Sequence, residues 1–223
     1  MENRVTRLKR LDCCAVSDAL DKVGLNGRVV SGLRAESVTA KIAGRAVTYR
    51  LVPFDQEKIQ QGPPKHLGTT AIELADPGDV IVVEQRTGID AGSWGGILSL
   101  AAKLRGISGV VAEGPVRDID EARAYKFPIY CRSLTAKTAR GRVVEAEVNG
   151  AVTVGELIVN PGDYVLADSS GVAFIPRSEI DSVLSAAEMI AAREAAMAKA
   201  LLDGSKVTDV MGANYEHMLR KHG

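Results

Sequence analysis

Residues 91–126 read AGSWGGILSLAAKLRGISGVVAEGPVRDIDEARAYK. Ile97, Leu98, Ala101, Ala102 and Leu104 recur at helical spacing, and Gly106 stops the helix. ISGVVA (107–112) is then a short apolar run that reads as a strand, and IDEARAYK (119–126) reads as the next helix. Upstream, the turn DPGD (76–79) feeds a strand at VIVVE (80–84). Strand, helix and strand within about thirty residues form a βαβ unit, which predicts parallel strands joined by right-handed crossovers. The fold class is therefore α/β.

Working outward, Asp12 can cap a helix through CCAVSDALDKV that Gly24 ends. VTAKIAGRAVTYRLV (38–52) is rich in β-branched residues and reads as a strand interrupted at Gly44. Residues 53–66 are a polar loop long enough to be functional, and TTAIELA predicts a short helix. From 128 to 176 the pattern changes to consecutive short strands. NPGDYVLAD (160–168) echoes DPGDVIVVE (76–84), which indicates one turn chemistry used twice. Beyond Pro176, Ser178 and Asp181 resemble a capping box that opens an Ala-rich helix over 178–203, closed by Gly204. No linker divides the chain, so residues 1–223 are expected to form a single domain.

The chain has 223 residues, 46% apolar and 25% charged, the balance of an ordinary globular protein. Lys+Arg and Asp+Glu stand at 28 each, so no net field points to nucleic acid or a membrane surface, and 4% aromatics leave few stacking platforms. Cys13, Cys14 and Cys131 form no C-x-x-C pair, and the first two are expected as small buried helix residues. MENRVTRLKRL carries charge without an apolar segment, and no run approaches transmembrane length. A reduced, cytoplasmic protein is the expectation.

Three features can carry chemistry. GSWGGIL (92–98) places glycines between a strand and a helix, where free N–H groups make an anion site. The alternative is an ordinary βα loop, and the stretch lacks both dinucleotide and NTP fingerprints. Trp94 is either a pocket wall or core. Arg117 and Asp118 follow the second strand at its carboxyl end, where open α/β sheets bind ligands. Asp118 can ligate a hard divalent cation while Arg117 clamps a carboxylate or enolate oxygen. In the alternative, Asp118 and Glu121 merely cap a helix. Glu194 is the one ionisable member of the stripe Val183, Ala187, Ile190, Glu194, Met197, Leu201, and a carboxylate there needs a partner or must reach water. His66, His217 and His222 share no ligand spacing, and Lys103 falls on a solvated face.

WGGILSLAAKLRGISGVVAEGPVRDIDEA, followed by PGDYVLADSSGVAFIP, resembles the family that joins the RraA regulators of ribonuclease activity and the HMG/CHA (4-hydroxy-4-methyl-2-oxoglutarate / 4-carboxy-4-hydroxy-2-oxoadipate) aldolases. The likeness runs from SDALD (17–21) to the C-terminal helix. It implies an α/β/β sandwich of the swivelling-domain type, assembled as trimers or dimers of trimers, with the C-terminal helix packed on a neighbouring protomer. It also implies a lyase that uses Mg²⁺ or Mn²⁺ on small 2-oxo acids, by retro-aldol cleavage to pyruvate or by oxaloacetate decarboxylation. The RraA branch implies instead a non-catalytic protein that modulates a ribonuclease. Carried over, the backbone of Gly95, Gly96, Ile97 and Leu98 resembles the loop that holds the pyruvyl carboxylate. Arg117 resembles the arginine on the keto oxygen, Asp118 the metal ligand, and Glu194 an acid contributed by the neighbouring protomer. The chain departs from the aldolases' D-x(20)-RD spacing at its first position, where Gly96 stands in place of the acid. Glu113 and Glu84 are the candidate substitutes.

Overall fold

A computed structural model describes residues 3–55 and 66–212. The loop expected over 53–66 falls largely outside them, as do His217 and His222. In chain order the elements are α1 (Arg4–Lys9), α2 (Cys13–Lys22), β1 (Val29–Val30), β2 (Arg34–Ala35), β3 (Ile42–Pro53), α3 (Thr69–Leu74), β4 (Val80–Glu84), α4 (Gly96–Leu104), β5 (Gly109–Val116) and α5 (Ile119–Ala124). There follow β6 (Ile129–Leu134), β7 (Val143–Val148), β8 (Val152–Val154), β9 (Leu157–Val159), β10 (Tyr164–Asp168), β11 (Gly171–Ile175), α6 (Ile180–Leu202) and α7 (Val207–Val210).

The large sheet runs in the order β1-β11-β10-β3-β4-β5-β6-β2, with β7 also paired to β3. β3, β4, β5 and β6 are parallel, and α3, α4 and α5 make the three crossovers between them. Each crossover steps in the same direction along the sheet, so a common hand puts all three helices on one face. Strand alternation sorts the side chains accordingly. Val47, Tyr49, Leu51, Ile81, Val83, Val110 and Ala112 face Ile72, Leu98, Ala102 and Ala122 of the helices. Val80, Val82, Val111 and Tyr130 point the other way, into a core closed by Val152, Val154 and Val159 of the β8–β9 hairpin. Helices, sheet and hairpin make the three layers of an α/β/β sandwich.

A third core lies around β10 and β11, where Leu166, Ala173 and Ile175 pack with Val16, Leu20, Val183, Leu184 and Ile190 of α2 and α6. Asp12 caps α2 by accepting from Ala15 N at 2.8 Å. The capping box expected at Ser178 and Asp181 does not form. Glu179 occupies the cap position of α6 without a side-chain cap bond to the helix backbone. The Asp181 carboxylate is taken by Arg4 in a two-point ion pair of 2.8 and 2.6 Å that ties α1 to α6. Cys13 is buried as expected, but Cys14 is exposed. The helix turns its second thiol outward because only the Cys13, Val16 and Leu20 face meets the sheet.

The two Pro-Gly turns are built alike. In the first, Asp79 Oδ2 accepts from Asp76 N at 3.0 Å, and in the second Asp163 Oδ2 accepts from Asn160 N at 3.0 Å. They start β4 and β10, the two strands that flank β3. Gly44 does not interrupt β3. It is the point where a Cβ would overlap the Gly78 carbonyl oxygen, so glycine is required for the first of these turns to close against the strand.

Candidate active site

The site is assembled where β4 and β5 end. Gln85 organises the segment after β4 by using both ends of its amide. Its Nε2 donates to the carbonyls of Ile89 and Ala91 at 2.9 and 3.0 Å, and its Oε1 accepts from Thr87 N and Oγ1 at 3.2 and 3.0 Å. A buried amide with its hydrogen bonds made holds a loop firmly. The loop is then fastened to the end of β5. Ser93 donates to Pro115 O from both its N–H and its hydroxyl, and Arg117 N donates to Trp94 O at 3.0 Å. Trp94 is both wall and core. Its ring is buried, stacks on Phe127 at 6.5 Å between centroids and donates to Ser99 Oγ at 2.9 Å.

Along this loop the glycines serve as bare floor. A Cβ on Gly92 would come within 2.8 Å of Arg117 Cγ, and one on Gly95 within 2.9 Å of Asp118 Oδ2. A Cβ on Gly96 would overlap the carboxylate of Glu121. Three side chains of the RDxxE segment thus press on the backbone at the start of α4, which only glycine permits.

Asp118 does not cap its own helix. It stands at the N-cap position of α5 with φ 56° and ψ 37°, the left-handed region, and makes no side-chain cap bond. A capping side chain needs an extended backbone to fold back onto the first turn. Instead the carboxylate crosses to α4, where Oδ2 accepts from Gly96 N at 3.1 Å. Arg117 Nε reaches Asp118 Oδ1 and Oδ2 at 3.3 and 3.2 Å. Strained backbone that aims a side chain at a neighbouring element is characteristic of functional sites.

The result is a cleft of about 250 Å³ lined by Gly92, Trp94, Gly95, Gly96, Ile97, Leu98, Arg117 and Asp118. His66, Leu67, Thr138, Ala139 and Arg140 complete its lining. The first-turn N–H groups of Ile97 and Leu98 have no acceptor within their own helix and lie at its positive end. The carboxylates of Asp118 and Glu121 meet the same helix start, and oxygen donors of this kind suit a hard divalent cation. No group of three or more ligating side chains occurs among the described residues. A cation here would rest on one or two carboxylates and keep water and substrate oxygens for the rest of its shell, as Mg²⁺ prefers.

The family model RraA-like, described as Aldolase/RraA, matches residues 13–174. This chain belongs to the RraA-like family. Over 205 residues the RraA-like chain is 29% identical to protein DlpA of Legionella pneumophila, covering 92% of its own length and 32% of DlpA, so it spans about a third of that relative. A 4-hydroxy-4-methyl-2-oxoglutarate aldolase of Thermus thermophilus is 28% identical over 137 residues, which cover 61% of this chain and 77% of that one. The crystal structure of Streptomyces coelicolor RraAS2, described as an unusual member of the RNase ES inhibitor RraA protein family, matches with TM-score 0.76 at 25% identity. That match covers 86% of this chain and 93% of that one.

In the RraA-like chain, Gly95, Gly96, Ile97, Leu98, Arg117 and Asp118 come together, whereas Glu194 does not join them. Glu194 lies on α6 near Asp12 and Asp18, and partial burial followed by those two charges raises its pKa above the usual carboxylate value. The first half of its stripe is core, with Val183, Ala187 and Ile190 buried. Beyond Ile190 α6 has no further buried residue, and Leu201, Leu202, Val207 and Met211 are exposed.

The acid substitutes proposed from sequence are corrected. Glu113 pairs with Arg132 at 3.0 Å, and Glu84 accepts from Thr153 N at 2.6 Å. Both sit next to helix-facing Ala112 and Val83, so alternation turns them to the opposite face of the sheet. The residue that fills the place left by Gly96 is Glu121.

Proposed function

We propose that this protein is a divalent-metal-dependent carbon–carbon lyase for small 2-oxo acids, cleaving 4-hydroxy-4-methyl-2-oxoglutarate-like substrates to pyruvate or decarboxylating oxaloacetate. The observation that carries this reading is the convergence of Arg117, Asp118 and Glu121 on the glycine floor of α4. The relatives named as aldolases support it.

The substrate's 1-carboxylate binds the first-turn N–H groups of Ile97 and Leu98, the ordinary anion site of a helix start. Arg117 is held at Nε by Asp118, which leaves its terminal nitrogens for the keto oxygen as negative charge grows there. A bound Mg²⁺ or Mn²⁺ supplies Lewis-acid polarisation of that oxygen. Asp118 and Glu121 are the residues that would hold the cation. Trp94 and Leu98 provide a dry wall, which strengthens each of these charge contacts. EDTA is expected to abolish pyruvate release and oxaloacetate decarboxylation, and Mg²⁺ or Mn²⁺ to restore both. Turnover that resists EDTA, with a lysine adduct trapped by borohydride, would overturn the reading.

The assembly we propose is a trimer or dimer of trimers in which Glu194 of the partner subunit completes the site. The exposed apolar end of α6 supports a helix that crosses to a neighbour. Protomers carrying Glu194→Gln mixed with protomers carrying Asp118→Asn are expected to regain part of the activity that each pure variant lacks. Inactive mixtures of two inactive variants would rule the shared site out. The rival function, binding and modulating a ribonuclease without catalysis, has support from the RraA relatives. It leaves the RDxxE constellation without a task.

A further inference from the structure

One buried hydroxyl joins two segments that line the cleft. Val47, Tyr49 and Leu51 alternate along β3 and face the helical layer, a row in which an apolar ring would pack as well as a phenol. Tyr49 is 0% exposed, and a hydroxyl taken out of water is costly unless it is hydrogen-bonded. Here it donates to Ser93 O at 2.5 Å. Burial, and then the charge of Glu145, push the phenol well above its usual pKa, so it stays protonated and donates.

The acceptor is a joint of the glycine loop. Ser93 is fully buried, and its N–H and its hydroxyl each donate to Pro115 O at 2.8 Å. Hydrogen bonds thus run unbroken from Tyr49 on β3 through Ser93 to Pro115 on β5. Trp94 comes next in the loop, and its carbonyl accepts from Arg117 N at 3.0 Å. The second segment is the turn His66–Gly68. Gly68 has φ 76°, and a Cβ there would come within 3.3 Å of both the Tyr49 hydroxyl and Leu98 Cδ1. Its N–H donates to Glu145 Oε2 at 2.7 Å. Glycine lets this turn come down on the phenol that Ser93 already holds. His66 and Leu67 line the cleft, as do Gly92 and Trp94 on either side of Ser93 in the chain.

We infer that Tyr49 is a positioning residue of this site, spacing the 92–96 loop from the His66–Gly68 turn and holding Arg117 in place through Ser93 and Trp94. The inference rests on the lyase reading and adds to it a residue that touches neither substrate nor metal. Arg117 and the first-turn N–H groups of α4 must stand where charge develops. Small displacements of such groups are felt in the transition state more than in ground-state binding.

Tyr49→Phe removes the hydroxyl and keeps the ring. With oxaloacetate as the probe, kcat is expected to fall about tenfold, a fraction of the roughly 10² that a misplacement of about 1 Å costs, while KM stays within about threefold. The pH profile should keep its shape, since the phenol is a fixed donor and neither acid nor base in the reaction. Trp94, the chain's single tryptophan, follows Ser93 and reports the loop, so its fluorescence should become more open to acrylamide quenching. Phe174→Leu, a loss of packing in the hairpin-side core, controls for stability alone. It should lower the melting temperature and change neither kcat nor quenching. If Tyr49→Phe does not fold, Ser93→Ala carries the test, because it removes the hydroxyl bond to Pro115 O from the same chain and should show the same two signs. Wild-type kcat in a folded Tyr49→Phe, unaltered Trp94 quenching, or a kcat loss equalled by Phe174→Leu overturns the inference and leaves the lyase reading standing. A wild-type protein inactive with oxaloacetate overturns the lyase reading and this inference with it.

Discussion

Arg117→Ala is expected to lower kcat by about 10²–10³, the usual loss for one preorganised donor at a developing oxyanion. The expectation rests on how the side chain is held. Its stem lies on Gly92, where a Cβ would intrude to within 2.8 Å of Cγ. Its Nε is fixed by both oxygens of Asp118, at 3.3 and 3.2 Å. Its backbone N–H is bonded to Trp94 O. A guanidinium pinned this way enters the transition state without reorganising. Arg117→Lys should rescue little, since one ammonium cannot hold Asp118 and face the substrate oxygen together. The side chain is 35% exposed, so its loss should leave the melting temperature close to wild type. Wild-type kcat in Arg117→Ala would remove the guanidinium from the chemistry.

The βαβ core was legible because its information is local. Apolar spacing in residues 96–104, glycine stops and β-branched runs decide each element before packing does. The repeated Pro-Gly-Asp turn was also legible, since each aspartate accepts from a backbone N–H three residues earlier. What the sequence concealed depends on backbone direction at single residues. Asp118-x-x-Glu121 has the spacing of a helix cap, and only the left-handed backbone at Asp118 turns it into a contact with α4. In the same way, Ser178 and Asp181 have capping-box spacing, yet a partner 177 residues away in sequence takes the aspartate. Glu84 and Glu113, the candidate substitutes for the missing acid, are excluded by a pattern that the sequence does carry. Strand alternation places them opposite Val83 and Ala112, and those two are the residues that face the helices.

The Glu121 assignment yields the sharpest expectation. The aldolase pattern has an acid at the first position of D-x(20)-RD, and here Gly96 stands there while the Glu121 carboxylate occupies the space a side chain would fill. The two arrangements are alternatives, because both cannot fit. Gly96→Ala should therefore be harmful although alanine favours helices, since its Cβ displaces the Glu121 carboxylate and touches Asp118 Cβ at 3.2 Å. Glu121→Ala should cost up to roughly 10² in activity, the scale of losing a group that supports a bound metal. Gly96→Asp alone should fare no better than Gly96→Ala, because two carboxylates would contend for one place. Combined with Glu121→Ala, however, Gly96→Asp moves the acid from α5 to α4. The new aspartate enters the first turn of a helix, where its charge is favourable. Gly96 has no left-handed backbone to preserve, so the substitution carries no backbone strain, and Asp118 Cβ has only to give by a few tenths of an ångström. The double variant should regain at least about tenfold over Glu121→Ala, a pairwise rescue that independent sites would not show. A folded double variant no more active than Glu121→Ala, or a fully active Glu121→Ala, would sever Glu121 from the missing acid of the aldolases.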